Sequence, residues 1–390
     1  MVAGLRNVER RLGSYAGAEP SRGGTLLVVI GGLHGNEPAG VLAFREVLAE
    51  LEALGPRMRG RVVGFAGNVG ALGRGTRYQD RDLNRMWTDA EIEELEAAAS
   101  LRPEGREQLE LLHEIQPLLT KAWEEIVLLD LHSTSAEGSP FTIMGDTLQN
   151  RRVAFALPIP VILGLEERVE GTLVSFFSER GHTAVCVEGG QNESPETVAN
   201  HRAAIWLTLV STGLVDERDA PDLASHRRTL ERAARDAPAV VELRHRQDVP
   251  DDTVFEMRPG YVNFMRVSRG ETLGHLRDRA TPGPPIPTRP PLDGMVLMPR
   301  YQGQGNDAYF VGGEVRPFWL RVSAWLRRRR LEWALSHLPG IHRPEAMPRT
   351  LEVDASVARW YVLEILHLFG YRRTLREGPR LVFIRRRDRI

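Results

Sequence analysis

In the first half of the chain, apolar residues gather in short β-branched runs, separated by longer stretches with helical spacing. Thr25 to Gly32 (TLLVVIGG) is such a run, closed by two glycines, and predicts a buried strand. Glu37 to Leu54 follows with apolar residues at helical spacing. Arg61–Phe65 and Glu125–Leu131 predict two further strands, and Phe141–Met144, Val161–Leu165 and Ala184–Val187 three more. Between them Glu91–Leu119, Thr172–Arg180 and Thr197–Thr212 read as helices. This alternation predicts an α/β fold: a sheet flanked by helices on both faces, with ligands gathered at the carboxyl ends of its strands.

The rhythm changes after about Val215. Asp219–Asp236 reads as a charged helix or linker. Val240–Phe310 is full of short strands and turns, and its Pro-rich stretch Thr281–Pro291 excludes helix and central strand. The remainder starts with a helix carrying Arg327–Arg330, continues with a second helix at Ala355–Phe369, and ends in a hairpin turning at Glu377-Gly378-Pro379. Three units follow: a catalytic domain over 1–218, a small all-β domain over 238–315, and a basic α+β extension over 316–390.

Composition narrows the chemistry. The 390 residues suit two or three domains. A single cysteine, Cys186, excludes an internal disulfide and Cys-rich zinc or iron–sulfur sites, so a metal would need His and carboxylate ligands. Cys186 itself lies in an apolar strand and reads as an inert core residue. No apolar run reaches the roughly 18–20 residues needed to span a bilayer, and the N-terminus lacks a signal-peptide core, so a cytoplasmic enzyme with no membrane partner is expected. The net charge of −1 hides an asymmetry. Residues 316–390 hold 17 arginines and 7 acidic residues, a net of +10, which leaves −11 on the first 315.

Four short segments carry candidate chemistry. His34-Gly35-Asn36-Glu37 follows the first strand, with His34 and Glu37 three apart and able to aim at one point. Asp130-Leu131-His132-Ser133-Thr134 ends another strand, and His132 can reach the same sheet edge. Two histidines and a carboxylate with an open fourth position form a catalytic zinc set. Asp130 would orient a ligand or help order the loop. In Thr76–Arg85 (TRYQDRDLNR), Asn84 and Arg85 suit recognition of a carboxylate, whereas Arg81 reads as part of a solvated face and Asp82 as a partner for a neighbouring arginine. In Val187-Glu188-Gly189-Gly190, Glu188 is placed as general base for a metal-bound water. His113, His182, His201 and His245 have no partner at ligand spacing and read as structural or exposed.

Together HGNE, TRYQDRDLNR, DLHST and VEGG, in this order, resemble the succinylglutamate desuccinylase/aspartoacylase family, relatives of the zinc carboxypeptidases. The resemblance spans roughly Thr25 to Gly313. It implies a carboxypeptidase-like α/β catalytic domain with a small β domain over the active-site mouth. It also implies one Zn2+ per chain on His34, Glu37 and His132, and Glu188 as the base that later protonates the leaving amine. Arg77 would assist as a catalytic residue, and Arg77, Asn84 and Arg85 would bind substrate carboxylates. A tyrosine from the β domain would touch the substrate, and Tyr301 is favoured over Tyr309. The family's aspartoacylases also use an arginine shortly before the catalytic glutamate; here that position falls near Ser178, with Arg180 close by and Arg168 further off.

The activity expected is hydrolysis of the amide bond of a small N-acyl amino acid or related acylated amine. Two other readings stand beside it: a zinc carboxypeptidase acting on short peptides, and a non-catalytic metal- or nucleic-acid-binding protein using the basic tail. A β domain over the mouth argues against the first. The intact ligand trio argues against the second. The basic tail is expected to pack on the acidic body, in the same chain or in a neighbouring subunit of a homo-oligomer, rather than on nucleic acid. Trp319, Trp325, Trp333, Trp360 and Tyr361 are expected to make it a packed unit.

Overall fold

The computed structural model describes residues 5, 7–17, 23–165, 168–280, 283–344, 347, 349–354, 362–377, 380–386 and 388. Trp360, Tyr361, the start of the second expected tail helix and the Gly378-Pro379 turn lie outside them.

Strands β1 (Arg11–Tyr15), β2 (Thr25–Gly31), β3 (Gly60–Ala66), β4 (Glu125–Thr134), β5 (Phe141–Met144), β6 (Val161–Leu163) and β7 (Thr183–Gln191) alternate with helices α1 (Ala39–Leu54), α2 (Val69–Arg74), α3 (Asp89–Ala97), α4 (Pro103–Ile115), α5 (Leu148–Ala154), α6 (Leu173–Glu179) and α7 (Pro195–Ser211). The Glu91–Leu119 stretch expected as one helix is thus two. Pro103 starts the second, where its missing N–H costs nothing. Helix α8 (Leu223–Ala233) closes this half of the chain.

β3, β2, β4 and β7 lie side by side and parallel. Every residue of β2 is buried, because helices cover both faces of the sheet. Alternation along the strand then divides two cores. Leu26, Val28 and Ile30 pack with Leu111 and Ile115 of α4 and Phe176 and Phe177 of α6. Leu27 and Val29 pack with Phe44 and Val47 of α1 and Ile205 and Trp206 of α7. The chain leaves β2 to one side for β3 and returns on the other as β4, which opens a crevice at their carboxyl ends.

The later strands are β8 (Val240–Asp248), β9 (Thr253–Met257), β10 (Arg266–Val267), β11 (Gly274–Asp278), β12 (Ile286–Thr288), β13 (Gly294–Leu297) and β14 (Asp307–Glu314). β8 pairs in parallel with β6, and β14, β13 and β10 add antiparallel, so one sheet of eleven strands crosses from residue 11 to residue 314. β9, β11 and β12 form a separate small sheet. The line between the 1–218 and 238–315 units therefore falls within a continuous sheet.

The tail holds α9 (Pro317–Arg328) and α10 (Val362–Leu368), with β15 (Ile341–His342), β16 (Thr350–Asp354), β17 (Tyr371–Glu377) and β18 (Arg380–Arg385) in a sheet of their own. It has its own apolar core, including Leu351, Leu366, Tyr371 and Phe383. The tryptophans are not that core: Trp319, Trp325 and Trp333 are 49%, 56% and 60% exposed. Leu320 of α9 packs on the body's core, and buried charge also ties the tail to the body. Asp146, just after β5, is fully buried and bound by Arg151 of α5, by Arg327 (Nη2, 3.0 Å) and by Arg372 (Nε, 3.1 Å). Burial pulls Asp146 upward, but the three guanidiniums outweigh it and hold its carboxyl well below the usual range. Glu242 of β8 receives His367 and Arg372 from the tail in the same way. Of the Arg327–Arg330 run only Arg327 is buried; the other three face solvent.

Candidate active site

β2 ends at Gly31, and the next turn carries His34 and Glu37 into the crevice, with the Glu37 N–H donating to the His34 carbonyl (3.1 Å). Gly35 has no alternative at its position: a Cβ there would sit 2.1 Å from the Ala71 carbonyl carbon. Alternation along β4 puts Asp130 and His132 on one face, and His132 stands opposite Glu188 of β7 in register. Three adjacent parallel strands thus deliver the whole cluster to one edge.

Glu37 bridges the two histidines. Its Oε1 lies 2.9 Å from Nδ1 of His34, and its Oε2 lies 3.0 Å from Nδ1 of His132 and accepts the Ser133 N–H (3.1 Å). The far nitrogens are held by carboxylates: Nε2 of His34 by Asp82 and Nε2 of His132 by Asp130, both at 3.0 Å. This is the arrangement that turns an imidazole's remaining nitrogen toward a cation. The ligand atoms of His34, Glu37 and His132 lie within 4.8 Å of one another, all on buried side chains. A group of Asp130, His132 and Cys186 is similarly close. Burial and the nearby carboxylates, Glu188 first, push the Cys186 thiol well up, so it stays protonated and is the poorer donor.

Charge around the cluster is strongly coupled. Burial opposes ionisation of Glu37, but His34 and His132 hold its carboxyl well below the usual range. Burial likewise disfavours the charged form of His132, and Asp130 and Glu37 reverse that and raise it. Glu188 goes the other way. Burial pushes it up to about 8, His132 and Arg77 only partly offsetting this. Its Oε2 is buried and makes no hydrogen bond to any described residue. It faces the cavity that the trio also lines.

Arg77 donates to Glu37 (3.1 Å) and to Asp82 (3.2 Å), so it offsets part of the cluster's negative charge. Asp82 does more than pair with an arginine: it holds His34, receives Arg77 and caps the short turn Leu83–Arg85 through the Asn84 N–H. The loop before it hangs on a buried carboxylate that sequence reasoning did not single out. Glu104 accepts the N–H groups of Gln79, Asp80 and Arg81 and the side chain of Asn68. Asn84 and Arg85 both line the cavity. Oδ1 of Asn84 accepts the Leu173 N–H (2.9 Å), and Arg85 reaches Asp307 (2.9 Å). Arg81 pairs with Glu91 at the surface.

The segment between β13 and β14 closes over the cavity. Gln302 accepts from Asn36 (2.7 Å), and Gln304 accepts the Arg77 N–H (3.2 Å) and donates to the Tyr78 carbonyl (3.1 Å). Met298, Pro299, Arg300, Gln302 and Gln304 all line the cavity, but Tyr301 does not. Its hydroxyl turns back into the β unit, accepting the Tyr261 N–H and facing the carbonyls of Arg258 and Tyr261. Tyr309 is buried in β14 and is no substitute. Arg180 lies over the Phe176 ring and pairs with Asp89, and Arg168 donates to the Arg244 carbonyl; neither lines the cavity.

Residues 23–211 match the sequence profile of the succinylglutamate desuccinylase/aspartoacylase catalytic domain. This part of the chain belongs to that family. No curated protein matches the chain by sequence. Solved structures that resemble it include the product-bound ectoine utilization protein EutE (DoeB) from Ruegeria pomeroyi, at 19% identity and a TM-score of 0.54 over 75% of this chain and 86% of that one. A succinylglutamate desuccinylase/aspartoacylase from Rhodobacter sphaeroides aligns at 21% identity and a TM-score of 0.52 over 76% and 86%. The succinylglutamate desuccinylase of Vibrio cholerae aligns at 16% and 0.54 over 78% and 85%. At such identities the likeness speaks for the fold, which is the zinc carboxypeptidase-like one of the desuccinylase/aspartoacylase family. Among the described residues no helix is long and apolar enough to cross a membrane.

Proposed function

We propose that this desuccinylase/aspartoacylase-family protein hydrolyses the amide bond of a small N-acyl amino acid or related acylated amine, with one Zn2+ held by His34, Glu37 and His132. The observation that carries the reading is Glu188: a buried carboxyl, raised to about 8, with one oxygen unclaimed, in the same cavity as two carboxylate-backed histidines. The donor set of two imidazoles and one carboxylate fits zinc, and the excess of buried carboxylate around it favours a dication.

When bound, zinc would lower the pKa of a water and polarise the acyl carbonyl. Glu188 takes the proton from the attacking water. A carboxyl poised near neutrality can then return that proton to the departing amine, so one group serves as base and acid in turn. Arg77, beside Glu37, is placed to help stabilise the developing oxyanion. Asn84 and Arg85 hold a substrate carboxylate and set the position of the scissile bond. Tyr301 has no part in this scheme.

The test is a screen of N-acyl amino acids by amine release, with added zinc and a chelator control. Hydrolysis of at least one such amide, abolished by chelation, is expected. His132→Ala should carry little zinc after purification; stoichiometric zinc in that variant would refute the ligand set. Turnover unaffected by chelation would refute the zinc chemistry.

A further inference from the structure

Helix α9 has two working faces. The inner one is fixed: Leu320 packs on the body's core, Ser323 donates to the Leu368 carbonyl (2.7 Å), and Arg327 lies on Asp146. Residues three, four and seven apart share a face of a helix, so Phe318, Arg321, Trp325 and Arg328 fall together on the opposite side. All four are exposed, Phe318 at 62% and Trp325 at 56%. Trp319, also exposed, stands edge-on to Phe318 with ring centroids 5.4 Å apart. Among the described residues no carboxylate pairs with Arg321 or Arg328. Large aromatic side chains left in solvent beside unpaired guanidiniums mark a contact surface.

Helix α3 presents the inverse. Ile92 is buried, whereas Asp89, Glu93, Glu96 and Ala97 recur at helical spacing on the outer side and are exposed. Ala98, Ala99 and Ser100 follow, exposed as well, so the acidic face runs into a strip of small side chains. Asp89 meets Arg180 at the surface, while Glu93 and Glu96 have no cationic partner among the described residues. Spacing matches as well as charge. Arg321 and Arg328 stand two helical turns apart, as do Asp89 and Glu96, about 10.5 Å along either axis. Between the arginines sits bulky Trp325; beside the carboxylates sits Ala97, which leaves room for it.

We propose that the outer face of α9 docks on the outer face of α3 in a second copy of this chain. Arg321 and Arg328 meet Asp89, Glu93 and Glu96, while Phe318 and Trp325 leave water against Ala97 and the small residues after it. The charge of −11 on the first 315 residues and +10 on the tail steers that encounter. A copy that gives α9 also offers α3, so a reciprocal contact closes a dimer and a one-way contact builds a chain. The match favours a second copy over a lipid or nucleic-acid surface, because the complementary charges, at the same spacing, are already carried by this chain.

The test is sedimentation velocity of the full-length protein over a concentration series, at about 0.05 M and about 0.5 M salt. Wild type should associate, and less so at the higher salt. Two double variants reverse one face each: Arg321→Glu with Arg328→Glu on α9, and Glu93→Arg with Glu96→Arg on α3. Each alone should associate about tenfold or more weakly, because like charges then meet. An equimolar mixture of the two should associate again, since the reversed face of each is opposite in charge to the reversed face of the other. Trp325→Ser should weaken association about tenfold at both salt concentrations. Thermal unfolding is recorded for every variant, and if the reversed variants do not fold, Trp325→Ser must still show its loss. A wild type that stays monomeric at low salt, reversed variants that associate like wild type, or a mixture that stays monomeric overturns the proposal. So does a monomer that binds phosphatidylglycerol vesicles or a single-stranded oligonucleotide in a Trp325-dependent way, which would give the face to lipid or nucleic acid.

Discussion

Two clusters of buried charge organise this chain, and they differ in what they surround. At the junction of body and tail, Asp146, Glu242, Glu332 and Asp388 face Arg151, Arg327, Arg372 and Arg385. Cations and anions interleave there, and the result is a seam. At the candidate active site Glu37, Asp82, Asp130 and Glu188 surround Arg77 and two histidines, with Arg85 also acting on Asp82. That set surrounds a cavity, and burial pushes one of its carboxyls, Glu188, up to about 8. The first cluster fastens parts of the fold to one another; the second lines a cavity.

The largest expected effect sharpens the active-site side. Glu188→Gln should leave metal content near that of wild type and lower kcat by about 10²–10⁴, as loss of a general base does. Comparable turnover in the variant would place the base elsewhere. The seam is broken next. Asp146→Ala removes the buried carboxylate that three guanidiniums share and should cost about 3–5 kcal/mol in denaturant unfolding, with metal content retained in whatever remains folded. A loss below about 1 kcal/mol would mean that the seam carries little stability. A smaller change separates the two clusters by ligand affinity. Asp130→Asn should weaken metal binding by about 10–100-fold in chelator competition, because the imidazole of His132 loses its backing carboxylate.

The smallest effect is one of pH. Burial draws Glu242 upward, but His367 and Arg372 outweigh that and bring it from an ordinary 4.5 down to about 2. A depressed carboxyl lends stability that is complete above its unfolded-state value and disappears as the pH falls through its folded one. Wild type should therefore lose this contribution between about pH 4.5 and about pH 2, and Glu242→Gln should show a shallower acid limb in that window. Identical acid limbs would remove Glu242 from the seam.

What was legible in the sequence follows from which forces act locally. The parallel strands could be read because burial on both faces leaves an unbroken apolar run, as in TLLVVIG of β2. His34, Glu37 and His132 could be read because their positions follow from turn and strand periodicity plus a family likeness, and the structure brings them together. The pairing of Asp82 with nearby Arg77 could be read too, but its hold on His34 and the hold of Glu104 on the arginine-bearing loop could not, because each acts through contacts across tens of residues. Place in the chain favours Tyr301 as a substrate contact, yet backbone groups at 258–261 claim its hydroxyl. The tail was legible as basic, but the sequence did not distinguish Arg327, fully buried against Asp146, from the three exposed arginines that follow it.

The eleven-stranded sheet also limits how this protein can be taken apart. A fragment ending at residue 218 would keep the catalytic side chains but strip β8 from β6, a three-residue strand buried throughout. Unpaired N–H and carbonyl groups flanked by apolar residues invite pairing with a second molecule. Such a fragment is expected to aggregate. Transplanting the catalytic half onto another cover would therefore require carrying strand β8 along, so the two halves behave in evolution and in engineering as one inheritable piece.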